Sequence, residues 1–191
     1  MSLDQEYWNQ RYIKGKTGWD IGYASSALIE YASPFPLESR ILIPGAGNAY
    51  EWIELQRLGY RNCMAIDFSE LPIKTLKKSY PAWEHSLIHE DFFEHEGEYD
   101  LILEQTFFCA LAPTFREKYL EKIRSLLSAD GKLAGLLFAQ EFEKEGPPFG
   151  GDKNTYDMLF NGILTLEKME LCENSIPERK GHELFFIASK A

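Results

Sequence analysis

The sequence predicts an α/β fold: a doubly wound, mostly parallel seven-stranded sheet with an antiparallel C-terminal strand. Three observations predict it. Short apolar runs alternate with segments of helical periodicity, as they do where helices cover both faces of a parallel sheet. A glycine turn, Gly45-Ala46-Gly47, separates the first apolar run from the helical segment after it. The last two apolar runs are joined by a short polar connection with no helix, which reads as an antiparallel pair.

Each element follows from local pattern. Residues 40–44 form an apolar run ending at the glycines, and Trp52, Ile53, Leu55 and Leu58 then recur at helical spacing over 49–58. Residues 62–66 read as a second strand ending at Asp67, with Ser69 capping a helix that carries Leu71, Ile73 and Leu76. A third strand is expected at 86–89 and a fourth at 99–103, followed by a loop over 104–112. Phe115, Tyr119, Ile123 and Leu126 then mark one face of a helix, and Asp130-Gly131 turns into a strand over 132–138. After a Gly/Pro-rich loop at 145–151 come a helix over 153–160 and two strands, 163–172 and 183–189. No repeat or linker-like run divides the chain, so residues 1–191 are expected to form a single domain with 1–24 as an N-terminal extension.

Composition narrows the function classes. A chain of 191 residues with 45% hydrophobic content can bury a substantial core without a disulfide or metal staple. Cys63, Cys109 and Cys172 are odd in number and widely spaced, and His85, His89, His95 and His182 lack ligand-like spacing, so buried thiols and no metal are expected. No stretch is apolar enough to span a membrane, and the opening residues are polar and acidic where a signal peptide would be basic and then apolar, which predicts a cytoplasmic protein. A net charge of -10 works against nucleic acid, whose affinity comes from Lys and Arg, and suits a small or cationic ligand.

The strongest chemical signal is Pro44-Gly45-Ala46-Gly47-Asn48-Ala49 between a strand and a helix, with Asp67 ending the next strand. Glycines allow close backbone approach to a ligand, and a carboxylate placed there can accept ribose hydroxyls. A dinucleotide site would want a third glycine at position 50, where Tyr50 stands. Asp91-Phe92 could add an edge contact to an adenine and a ring over it, and Glu104 to Phe108 occupy the end of the fourth strand beside the expected switch point. Trp8, Tyr12 and Trp19 crowd the polar N-terminal segment, and two readings stay open for them: a lid over a ligand, or a staple joining the extension to the sheet.

The ordered run of motifs resembles the thiopurine methyltransferase family, and within it the plant-type thiol and halide methyltransferases. The residues that carry it are Trp8, Tyr12 and Gly18-Trp19-Asp20-Ile21-Gly22; the Ile43 to Gly47 turn; Asp67-Phe68-Ser69; Glu90 to Phe93; Phe107 to Ala110; Leu126-Leu127; Asp130-Gly131; Gly146 to Phe149; and Ile176 to Gly181. The resemblance implies S-adenosylmethionine bound by Trp8, Tyr12, Trp19, Gly45, Asp67, Asp91, Phe92 and the position of Gln105, with Ala46, Gly47 and Phe68 beside them, and it favours the lid. Two departures stand out. Tyr12 replaces a frequent Trp, and Glu104-Gln105 replaces a typical Asp-Tyr, which calls halide or thiocyanate into question as the acceptor. The Asn/Asp-Pro-Pro-aromatic motif of enzymes that methylate base amines is absent.

The expected activity is methyl transfer to a small nucleophile, a thiol or other sulfur acceptor, by a monomer or homodimer. No residue is assigned as acid or base, because the leaving group is neutral. Gln105 is expected to contact the acceptor or the cofactor, and Phe107 and Phe108 to shape the acceptor pocket. Arg179 is either the anchor of an anionic acceptor or a solvated turn arginine. The alternatives are a dinucleotide-dependent oxidoreductase and a non-catalytic S-adenosylmethionine-binding module.

Overall fold

A computed structural model describes residues 3–143 and 145–190, so the first two residues of the expected extension lie outside it. Seven strands form one sheet: β1 (Ile41–Pro44), β2 (Cys63–Asp67), β3 (Leu87–His89), β4 (Tyr99–Gln105), β5 (Leu127–Phe138), β6 (Leu164–Leu171) and β7 (Glu183–Lys190). Their order is β3-β2-β1-β4-β5-β7-β6, and β7 alone runs against its neighbours. The expected mostly parallel sheet with an antiparallel C-terminal strand is therefore what the chain forms. Chain order reverses at β1, which pairs with β2 on one side and β4 on the other, so the crevice for a ligand opens at the carboxyl ends of those strands.

Among the described residues six α-helices accompany the sheet, besides short 3-10 turns: α1 (Gln5–Ile13), α2 (Ser26–Ala32), α3 (Tyr50–Leu58), α4 (Glu70–Ser79), α5 (Arg116–Leu126) and α6 (Lys153–Phe160). Alternation along the strands divides the core between the two faces. Ile41, Ile43, Leu101 and Leu103 pack with Leu28 of α2, Trp52 and Leu55 of α3, and Ile73 and Leu76 of α4. Leu42 and Ile102 face the other way, onto Tyr119, Leu120 and Ile123 of α5 and Tyr156 and Phe160 of α6. Burying each such large side chain contributes roughly 1.5–3 kcal/mol, which is how a sheet covered on both faces holds together. All three cysteines are buried and unpaired, and burial pushes the thiols of Cys63 and Cys109 well up, leaving them poor nucleophiles. Among the described residues no helix is long and apolar enough to cross a membrane.

Several local expectations need correction. β4 runs on to Gln105, so Glu104 and Gln105 belong to the strand and not to the loop after it. Asp130-Gly131 lies inside β5: the register jumps from Tyr99↔Leu127 to Leu101↔Lys132, and the intervening residues form a bulge in place of the expected turn. Leu58, Leu71 and Phe115 are 45%, 40% and 47% exposed, so periodicity overstates three apolar faces, and Phe115 precedes α5 as its N-cap. Ser69 occupies the N-cap of α4, but its hydroxyl bonds Asn9 of α1 and caps nothing. The two helices before β1 have no counterpart among the expected elements: α1 buries no residue, and α2 is only seven residues long, so neither leaves a strong apolar period.

Candidate active site

The turn after β1 is built from left-handed residues: Gly45 (φ 57°), Gly47 (φ 53°) and, at the N-cap of α3, Ala49 (φ 51°). Its amides are tied to β2, since Ala46 N–H donates to the Ile66 carbonyl at 3.0 Å and Gly47 N–H to Asp67 Oδ2 at 2.8 Å. The other Asp67 oxygen accepts from Ser69 N–H at 2.7 Å. Burial pushes the Asp67 carboxyl up to about 6, while the Ser69 and Gly47 amides and His89 pull the other way. Each oxygen keeps a lone pair for a further donor. Both glycines also answer to aromatic neighbours. A Cβ at Gly45 would lie 2.3 Å from the Phe107 ring, and one at Gly47 would lie 2.7 Å from the Tyr12 hydroxyl.

Between this turn, the end of β4 and α2 lies a narrow cleft of about 50 Å³. Gly45, Ala46, Gly47 and Gln105 line it, together with Trp19, Leu28, Leu103 and Thr106. Two acids that carried no assignment from sequence reach it as well. Asp20 accepts from Gly22 N–H at 2.8 Å and from the Asn48 amide, joining the N-terminal segment to the turn. Glu51, buried in the first turn of α3, accepts from Ser25 N–H at 2.8 Å, and burial raises its carboxyl. The Gly18-Trp19-Asp20 motif was the available signal for the first; an acid inside an apolar helical pattern was the signal for the second.

The N-terminal rings gather at the mouth of the cleft. Trp8 and Tyr12 meet Trp19 edge-on at 5.3 and 5.6 Å, and the Arg11 guanidinium lies 5.3 Å over Trp19. Burial, with Asp67 nearby, raises the Tyr12 phenol far beyond its ordinary value, so it stays a neutral hydroxyl. Polar contacts hold α1 in place: Gln5 Nε2 donates to the Phe68 carbonyl at 2.6 Å, and Asn9 pairs with Ser69 at 2.6 Å.

Other predicted site residues stand apart from the cleft. Asp91 is exposed and accepts from Phe93 N–H at 2.9 Å. Phe92 is buried against Phe93, Phe107 and Tyr119. Phe107 backs onto Gly45, and Phe108 is not at the cleft but in the core against Tyr119 and Tyr156, beneath the Arg116 guanidinium at 4.7 Å. Arg179 is no solvated turn residue: its side chain is 10% exposed, donates to Glu183 at 3.2 Å and to the Trp19 carbonyl at 3.0 Å, and lies 5.4 Å over Phe138.

The family model for thiopurine S-methyltransferase matches residues 3–186, nearly the whole chain and every element of the cleft. The chain belongs to that family. It is thus an S-adenosylmethionine-dependent methyltransferase, and the oxidoreductase alternative falls away. The methyltransferase is 27% identical over 185 residues to a probable thiol methyltransferase 2 of Arabidopsis thaliana, covering 92% of this chain and 81% of the relative. It is 28% identical over 191 residues to thiocyanate methyltransferase 1 of the same plant, covering 95% and 83%. Among solved structures, the 1,6-didemethyltoxoflavin-N1-methyltransferase of Burkholderia thailandensis, with S-adenosylhomocysteine bound, superposes with a TM-score of 0.75 at 18% identity, covering 99% of this chain and 88% of that one. That likeness shows the fold.

Proposed function

We propose that this methyltransferase transfers the methyl group of S-adenosylmethionine to a small sulfur nucleophile at the cleft between the glycine turn and the Trp8–Trp19 cluster. The observation that carries the reading is the buried carboxylate of Asp67, at the end of β2, bonded to Gly47 of the turn that lines the cleft at the switch point of the sheet. The residues fit the cofactor. Asp67 supplies lone pairs for ribose hydroxyls, Gly45 to Gly47 and Gln105 supply backbone approach, and Asp20 and Glu51 give the cleft the negative character that suits a cation. Phe68, Asp91 and Phe92 lie outside the cleft lining, and a role for them at the adenine rests on the family resemblance alone. When bound, S-adenosylmethionine supplies an electrophilic methyl on a neutral leaving group.

The chain's own task is then position and dryness. Trp8, Tyr12 and Trp19 act as a lid: no residue of α1 is fully buried and the segment is held largely by polar and ring-edge contacts, so the N-terminal extension can lift to admit the cofactor and close over it as part of the single domain. Such a movement would widen a cleft of about 50 Å³ towards the roughly 300–1,000 Å³ that small-molecule sites span. Excluding water and aligning nucleophile with methyl is worth on the order of 7–11 kcal/mol in well-oriented systems. No side chain is needed to protonate the leaving group, and an acceptor that ionises readily, an aromatic thiol or hydrosulfide, needs no base. Gln105 contacts the acceptor or the methionine moiety, Phe107 braces the wall, and Arg179 contributes positive charge beside the lid.

A sulfur acceptor is supported by the two plant relatives named for thiol and thiocyanate methylation. Gln105, which lines the cleft at the end of β4 in place of the Tyr that the family resemblance leads one to expect, bears on the choice between thiols and halides. The acidic balance and three unpaired cysteines support a cytoplasmic monomer or homodimer acting on small molecules, without nucleic acid. The test is S-adenosylhomocysteine release with a panel of aromatic thiols, hydrosulfide, iodide and thiocyanate, alongside calorimetric binding of that product. Turnover with thiols and little with halides is expected. Binding without turnover on any acceptor would leave the cofactor site standing and the acceptor class without support, and no binding would remove the reading of this cleft as the cofactor site.

A further inference from the structure

Glu104 stands one residue before the end of β4, fully buried on the α5 side, while its neighbours Leu103 and Gln105 line the cleft. A carboxylate in a dry interior costs free energy unless its lone pairs are used. One oxygen is used twice: Oε1 accepts from Phe107 N–H at 2.9 Å and from Phe108 N–H at 2.7 Å. The other, Oε2, is buried with no partner. The two amides follow Thr106, whose φ of 59° is left-handed, a conformation that a β-branched residue adopts only where its surroundings impose it. The outcome is the Phe107 ring pressed on Gly45 from behind, with Gln105 and Thr106 turned into the cleft.

We infer that Glu104 is a positioning residue for methyl transfer: its carboxylate holds the Thr106–Phe107 turn, and through it the cleft wall made by Gly45, Gln105 and Thr106. The inference rests on the cleft being the cofactor site. Around the carboxylate stand Glu183 of β7, Arg116 and Tyr119 of α5, Tyr156 of α6 and Cys109 of the turn after β4. Burial and Glu183 oppose its charge, the two amides and Arg116 favour it, and the balance puts its carboxyl at about 7. The two tyrosines and the cysteine are pushed up and stay neutral across this range. Hydrogen bonds to an ionised acceptor are about twice as strong as to a neutral one, so protonation slackens the turn.

The test is calorimetric binding of S-adenosylhomocysteine to the wild type and to Glu104→Gln between about pH 6 and about pH 8.5. Glutamine keeps the size and one carbonyl acceptor but cannot ionise. We expect wild-type affinity to exceed that of the variant by about fivefold to tenfold at the alkaline end, in line with the charge-assisted bonds, and the ratio to shrink towards one at the acid end. Asp67 titrates in both proteins, so it cancels in the ratio. A ratio that does not change with pH overturns the inference while leaving the cofactor site intact. Absence of binding by the wild type at every pH removes the cofactor reading and this inference with it. Should Glu104→Gln fail to fold, Glu104→Asp keeps the charge but draws the carboxylate back from the Phe107 and Phe108 amides: S-adenosylhomocysteine binding weakened several-fold at the alkaline end supports Glu104, and wild-type affinity there overturns it.

Discussion

The carboxylate of Asp67 and the backbone N–H of Gly47 meet at 2.8 Å and tie the end of β2 to the turn after β1. That contact keeps a negative charge in a buried place, and the charge has a pH signature. An acid whose folded pKa lies above its unfolded value binds more protons in the folded state between the two, so stability falls as pH rises through that interval. The interval runs from 3.8 to about 6 for Asp67 and from 4.5 to about 7 for Glu104. Asp100, held down at about 2 by Arg40, has the opposite sign but acts only below 3.8. The melting temperature of the unliganded protein is therefore expected to fall between about pH 5 and about pH 7.5. Each of the two acids removes at most roughly 1.4 kcal/mol for every pH step of one crossed inside its interval, before the surroundings relax. Thermal denaturation over that range checks it, and a rising melting temperature would refute it.

The two glycines of the turn should respond differently to alanine. At Gly45 the new Cβ meets the body of the Phe107 ring at 2.3 to 2.9 Å, and that ring is fixed by Phe92 and Tyr119. At Gly47 it meets only the tip of Tyr12 of α1. Both substitutions carry the left-handed penalty of about 1–2 kcal/mol. Gly45→Ala is expected to cost several-fold more stability in a denaturant titration, and Tyr12→Phe should restore part of the loss in Gly47→Ala while doing nothing for Gly45→Ala.

What the sequence shows of this fold is its periodic part. β1, α3, β2 and the β6–β7 pair are legible because their burial patterns repeat, and the switch point follows from strand order. What escapes is set by tertiary contact. Ser69 looks like a cap yet bonds Asn9, sixty residues earlier. Phe108 sits beside Phe107 in sequence, but the left-handed Thr106 and the short turn after it send one ring to the glycine turn and the other into the core. Arg179, in a charged triplet, reads either as an acceptor anchor or as a solvated turn residue, and only the approach of Trp19 and Glu183 shows that it is buried.

Asp20 should behave as a latch. Its two oxygens hold Gly22 N–H and the Asn48 amide, and with no fully buried residue in α1 these bonds share the work only with the contacts of Gln5, Asn9 and Trp19. Elements with few buried contacts open at low cost. Asp20→Ala is expected to weaken S-adenosylhomocysteine binding by roughly tenfold while lowering global stability by only about 1 kcal/mol, the worth of ordinary hydrogen bonds. Faster proteolysis ahead of Gly22 and a changed tryptophan fluorescence would accompany it; resistance equal to the wild type would show that the segment is held by something else.

Arg179 offers a test in which stability and binding separate. Its guanidinium neutralises Glu183, 4% exposed, and caps the Trp19 carbonyl, so Arg179→Met strands a buried carboxylate at a cost of roughly 3–5 kcal/mol. That loss by itself says nothing about the site. Adding Glu183→Gln removes the stranded charge and should recover most of the stability, but the Trp19 carbonyl stays without its donor and the N-terminal segment without its tie to the β7 end. The double variant is therefore expected to melt near the wild type and still show raised Michaelis constants for the cofactor and for an anionic thiol. If both constants returned to wild-type values with stability, Arg179 would serve only to balance Glu183. If the cofactor constant alone returned, its remaining role would be with the acceptor.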